Sequence, residues 1–274
     1  MAQLVAHLHG MEGVRGSSPL SSTNCSTDGA VDALPPRRGQ QRVGAGCRLA
    51  RRESAPVNIF GWVLLAATAV AAGADWAAVA RGNRAVEQLA KPAVLVLLLA
   101  LAWLLHADEV PQGRWLLLGL VVSLLGDVLL LSDSDLRFGL GLLGFLLAHL
   151  AYLTALVRMP HGSPQWLGVA AVVVALVLAL WLVLVPLLRR DLVAGAAPTA
   201  YAMVLGVFAA GAWYTGHLLV GIGASLFLVS DALVGWTRFV RHLRHGQVLV
   251  MVTYHLAQLL IVIGVLRPDL LHRS

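Results

Sequence analysis

Two aspartates and two histidines interrupt long apolar runs, where charge is expensive. Asp127 lies in SLLGDVLLL (123–131), Asp231 in GASLFLVSDAL (223–233), His149 in GLLGFLLAHLAY (141–152) and His255 in TYHLAQLLI (253–261). An ionisable group at the centre of a spanning helix costs about 2.5 to 3.5 kcal/mol on the insertion scale, so each of these marks a candidate functional position. Lys91, the single lysine of the chain, stands directly before Pro92 at the start of another apolar run. Carboxyl, imidazole and ammonium groups gathered in one water-poor cavity can give a proton to a substrate and take it back. Two close carboxyls do not readily ionise together, so an Asp127 and Asp231 pair divides into an acid and a carboxylate, as in glycosidases. His149 and His255 are then candidates for orienting water or relaying the proton.

Helical spacing supplies faces on which these groups can meet. Gly119, Ser123 and Asp127 follow i, i+4, i+8; Gly141, Phe145, His149 and Tyr152 share one face, and Met251, His255 and Gln258 another. Asp127, Asp231, Lys91, His149 and His255, from five helices, could therefore converge on one cavity, with Tyr152 and Gln258 on the same faces. Asp75, His106 and His217 fall near span ends, where water is reachable, and Trp76, Trp115 and Trp236 read as interfacial anchors. A zinc site from His149, His255 and a carboxylate has suitable ligand types, but no local spacing specifies it, and neither metal nor cofactor is expected.

The elements that must position these residues are membrane helices. The chain has 274 residues, of which 58% are hydrophobic and 12% charged, and its mean hydropathy is +0.79. No soluble domain has that balance. A transmembrane barrel is excluded because runs such as 93–105 and 167–188 are apolar on every face instead of alternating. Eight spans are expected, at about 58–79, 89–107, 114–132, 138–158, 165–188, 198–213, 216–236 and 246–266, with Pro198 opening the weakest of them. This is an all-α polytopic bundle in the cell membrane. The Asp-to-His separations of 22 and 24 residues suggest two parallel four-helix repeats.

Residues 1–56 are rich in Gly, Ser, Arg and Pro without periodicity and read as a disordered tail preceding a membrane domain at 57–274. Their first part, AQLVAHLHGMEGVRGSSPLSST, resembles the conceptual translation of a transfer-RNA gene, which points to a misassigned start. Both cysteines, Cys25 and Cys47, fall in this tail, so the membrane domain has no disulfide or thiolate chemistry. A pI near 10.1 would suggest nucleic acid in a soluble protein; here anionic lipid headgroups are the expected partner and nucleic acid is not. Nine basic residues fall in odd-numbered connections against four in the even ones and the C-terminus, which places the odd loops in the cytoplasm.

No phosphate-loop, zincin or serine-hydrolase motif occurs. Leu124-Leu125-Gly126-Asp127 lacks the first glycine of the G-x-G-D of intramembrane aspartyl proteases, and no Pro-Ala-Leu follows.

Lys91-Pro92 and the four runs around Asp127, His149, Asp231 and His255, in this order and spacing, resemble the YhhN-type family, the lysoplasmalogenases. The resemblance extends over residues 57–266; one departure is Thr237-Arg238-Phe239 where the family has Asn-Lys-Phe. It implies hydrolysis of the vinyl ether bond of a lysoplasmalogen, a lysophospholipid, to a fatty aldehyde and a glycerophospho-headgroup. On this resemblance Asp127, Asp231, His149 and His255 would be catalytic and Lys91, Tyr152, Tyr254, Gln258 and Arg238 would bind substrate, Lys91 and Arg238 holding the phosphate. A different class of function, a proton-coupled transporter or lipid-binding protein, would use the same Asp and His cavity as a relay.

Overall fold

A computed structural model describes residues 59–132, 134–181, 185, 189, 192–239, 243 and 245–267. The N-terminal tail, with Cys25 and Cys47, lies outside the described residues. Among those described there are eight α-helices and no strand: α1 (Ile59–Arg81), α2 (Arg84–Leu104), α3 (Pro111–Leu130), α4 (Asp135–Arg158), α5 (Trp166–Ala179), α6 (Leu192–Tyr214), α7 (Leu218–Phe239) and α8 (Gly246–Leu266). Six of them, α1 to α4, α7 and α8, are long and apolar enough to cross a membrane. The chain is an integral, multi-pass membrane protein.

Local chemistry explains the helix ends. Gly82 adopts φ 68°, and the Gly82 amide bonds Val79 O at 3.2 Å while that of Asn83 bonds Ala78 O at 2.9 Å. This left-handed turn satisfies the last carbonyls of α1, and glycine adopts it without a Cβ penalty. Asn83 then caps α2, its side chain accepting from the Val86 amide at 3.3 Å. Pro111 occupies the first turn of α3, where its missing N–H costs nothing.

Two prolines sit differently from the sequence expectation. Pro92 and Pro198 were expected to open spans two and six, yet both lie inside helices, α2 and α6. A proline interrupts one helical hydrogen bond, and a packed bundle compensates for that loss. Lys91 is therefore two turns into α2 rather than at its mouth.

Sequential neighbours α1–α2, α3–α4 and α7–α8 make the most extensive pairings, and α8 returns to pack against α1, α2 and α3. Helices α3 and α4 approach closely through small residues: a Cβ on Gly126 would lie 3.2 Å from Gly141 O, and one on Gly144 3.4 Å from Gly126 Cα. Leu95, Leu98, Leu116, Leu120, Phe208, Phe227 and Ile261 fill the core, while Leu89, Trp103, Val157 and Leu167 face outward. Outward apolar residues are what a lipid-facing surface requires.

Candidate functional site

The closure of α8 onto the first three helices creates a buried polar interior. Lys91 from α2 and Asp127 from α3 form an ion pair, Nζ to Oδ1 at 3.3 Å, with side chains 5% and 1% exposed. The other oxygen, Oδ2, accepts from the Tyr254 hydroxyl of α8 at 2.8 Å. Gln258, one turn further along α8, donates its Nε2 to the Tyr254 oxygen at 3.3 Å. The Tyr152 hydroxyl of α4 donates to Gln258 Oε1 at 2.8 Å. Ser123 Oγ is 3.2 Å from that hydroxyl, and since Tyr152 has spent its proton on Gln258, Ser123 is the donor. A single directional chain thus runs Ser123, Tyr152, Gln258, Tyr254, Asp127, with every proton pointing toward the carboxylate and Lys91 closing its far end. Four helices contribute to it.

The stripes expected on α3 and α4 are buried as a set. Gly119 has a specific part in this: a Cβ there would lie 2.2 Å from Tyr152 Cε1, so only glycine lets the ring reach Ser123 and Gln258.

Asp231 belongs to a second set. Its Oδ2 accepts from the Tyr201 hydroxyl of α6 at 2.5 Å. Asp127 is three residues from the end of α3 and Asp231 eight from the end of α7, about 4.5 Å and 12 Å of helix. The sequence expects the two aspartates at similar depth in one cavity; their direct partners differ, Lys91 and Tyr254 for Asp127 and Tyr201 for Asp231.

His149 lies at the junction of the two sets. Its ring stands edge-on to Tyr152 and Tyr201 at 6.4 and 6.3 Å and packs on Phe227 at 4.4 Å. Its Nδ1 is 2.6 Å from Phe145 O, which only a protonated Nδ1 can bond, so the tautomer leaves a bare lone pair on a buried, unpartnered Nε2. His255 takes the opposite tautomer: its Nδ1 accepts from the Trp76 indole at 3.1 Å, which leaves the hydrogen on Nε2, also buried and unpartnered.

Of the positions expected near span ends, Asp75 is 0% exposed and His217, between α6 and α7, 8%; Trp76 is half-buried, its indole bonded to His255. Asp75 was near the apparent end of its span, but α1 runs on to Arg81. Neither oxygen of Asp75 has a hydrogen-bond partner. A signal for it was present: Thr68, Ala72, Asp75 and Ala78 are all buried on α1 at helical spacing with small neighbours. His106 is exposed as expected, its side chain 73% accessible. Trp115 carries the Arg158 guanidinium over its ring at 5.5 Å. Lys91, expected to bind substrate, is buried in its ion pair with Asp127. Arg238 falls in the last turn of α7, and its side chain lies outside the described residues. Among the described residues no three His, Cys, Asp or Glu side chains cluster as metal ligands do.

Comparison with known proteins adds to this geometry. The chain is 28% identical over 171 residues to the lysoplasmalogenase TMEM86A of Bos taurus, covering 56% of this chain and 66% of that relative. It is 34% identical over 146 residues to the lysoplasmalogenase TMEM86B of Sus scrofa, covering 53% and 61%. Human TMEM86A is 28% identical over 162 residues, covering 56% and 66%. The chain thus spans slightly less than two thirds of the length of the curated relatives it matches. No solved structure matches. The family model of YhhN matches residues 86–265, which takes in Lys91, Asp127, Tyr152, Tyr254 and Gln258, and the chain belongs to the YhhN family.

Proposed function

We propose that the protein is a lysoplasmalogenase-like hydrolase that cleaves the vinyl ether bond of a lysophospholipid within the membrane, releasing a fatty aldehyde and a glycerophospho-headgroup. The observation that carries this reading is the buried donor chain ending on the Lys91–Asp127 pair. Vinyl ethers hydrolyse by proton addition at carbon, which generates an oxocarbenium ion, followed by addition of water. An anion held in a fixed, water-poor place is the complement to that cation, because preorganised charge acts strongly where the dielectric is low. Asp127 fills this role: Lys91 and Tyr254 fix both its oxygens, and the remote members Gln258, Tyr152 and Ser123 fix Tyr254. The names of the relatives support the substrate class.

The phosphate of such a lipid would remain at the surface, and Arg238, at the end of α7, is placed in sequence to meet it. The test is product analysis with purified protein in detergent. A 1-alkenyl lysophospholipid is expected to yield equal amounts of aldehyde and glycerophospho product without any ion gradient, and the 1-O-alkyl analogue, which has no double bond, is expected to survive intact. Folded protein that releases no aldehyde contradicts the proposal and favours transport through the same polar interior.

A further inference from the structure

The hydrolysis proposed above needs a proton donor as well as an anion, and this step rests on that reading. Asp127 receives two donors and is the anion. Asp231, with its Tyr201 partner, stands in the other set. We propose that Asp75 is the carboxylic acid that protonates the vinyl carbon, with Asp127 as the anion.

Three observations carry it. Asp75 is fully buried, and both its oxygens are without a hydrogen-bond partner. A buried carboxylate with no donor is poorly tolerated, whereas a carboxyl bearing its own proton needs none. Asp75 lies on α1, which packs along α2, the helix that carries Lys91, so Lys91, Glu87 and Asp127 are the charges nearest to bear on it. The one buried ammonium among them is already engaged with Asp127 at 3.3 Å. Finally, the next residue, Trp76, is tied to His255 of α8 at 3.1 Å, which fixes this turn of α1 against the helix that supplies Tyr254 and Gln258.

The reaction balances with these two carboxyls. The Asp75 proton is taken by the π pair of the double bond at the carbon distal to oxygen, leaving an Asp75 carboxylate and an oxocarbenium ion. Water adds to the cationic carbon and gives one proton to Asp127, forming a hemiacetal. The hemiacetal hydroxyl returns its proton to Asp75 as the carbon–oxygen bond to glycerol breaks, and the proton on Asp127 passes to the departing glycerol oxygen. Aldehyde and alcohol leave, and both aspartates regain their starting states.

The test is Asp75→Asn and Asp75→Glu beside wild type, assayed for aldehyde release and for binding of the uncleavable 1-O-alkyl lysophospholipid. D75N is expected to lose at least about 100-fold in kcat, the scale of a removed general acid, with binding within threefold of wild type; D75E is expected to recover part of the loss. A folded D75N that keeps a tenth or more of the activity overturns the assignment, as does loss of binding in step with turnover. Dicyclohexylcarbodiimide labelling of the full wild-type chain decides the matter if D75N does not fold, because the reagent modifies protonated carboxyls in apolar surroundings. Label at Asp75, blocked by the 1-O-alkyl lipid, is expected, and label at Asp231 or at no aspartate overturns the proposal. Wild type that releases no aldehyde while Asp75 is labelled counts against the hydrolase reading instead.

Discussion

Lys91 is the residue on which the buried charges depend. Its ammonium faces Asp127 with almost no solvent on either group, and removing one member of such a pair strands the other. Lys91→Met is expected to destabilise the fold by about 3–5 kcal/mol, read as a large drop in the thermal midpoint in detergent. The double variant Lys91→Met with Asp127→Leu should recover most of that stability and none of the activity, since matched apolar replacements remove the stranded charge. A single variant no less stable than wild type would mean that water reaches Asp127. Tyr254→Phe makes a gentler cut. It removes one donor to Asp127, and turnover should fall while the lysine pair preserves the fold; unchanged kcat would show that the hydroxyl chain does not tune the carboxylate.

At the level of the helix, two expectations follow from how α2, α3 and α4 are built. Gly119→Ala drives a methyl into the Tyr152 ring, whereas Gly139 of α4 has nothing within 4 Å of its Cβ position. The first substitution should cost about 1–3 kcal/mol by overpacking and the second should be neutral or stabilising, by up to about 1 kcal/mol, from helix propensity. Comparing their unfolding midpoints checks this, and equal midpoints would contradict the close α3–α4 approach. Pro92→Ala restores a missing amide in α2, so the helix should become more stable while Lys91 shifts off Asp127 and activity drops. A gain in stability without loss of activity would show that the position of Lys91 does not depend on Pro92.

The element scale is also where the sequence was most and least legible. Apolar runs located the eight helices among the described residues, but bilayer thickness accounts for only the six that are long and apolar enough to cross a membrane. Helix ends at Pro92 and Pro198 were misplaced, since proline is a stop signal only when neighbouring helices do not compensate. The stripe of Gly119, Ser123 and Asp127 was readable from period alone. The pairing of Asp127 was not, because which helix of eight faces another is a tertiary fact: Lys91 came to lie beside it, and Asp75 is inside because it shares the α1 face of Thr68, Ala72 and Ala78 that packs inward.

For the whole molecule, loop arginines set an expectation for sidedness. Cysteines placed singly at Ser132, in an odd loop, and at His161, in an even one, in a chain with Cys25 and Cys47 replaced by serine, should differ in labelling. Membrane-impermeant maleimide applied to intact cells should reach position 161 and not 132, and the reverse pattern would invert the topology. Membrane sidedness does not alter the relation among the buried groups, because Lys91, Asp127, Tyr254 and Gln258 touch one another directly. The Lys91–Asp127 site is what the proposed hydrolysis depends on, and the turnover of Asp127→Asn measures that dependence most directly. Aldehyde release from a 1-alkenyl lysophospholipid by folded D127N protein is predicted to fall at least about 100-fold below wild type; release within threefold of wild type would contradict a reaction centred on this aspartate.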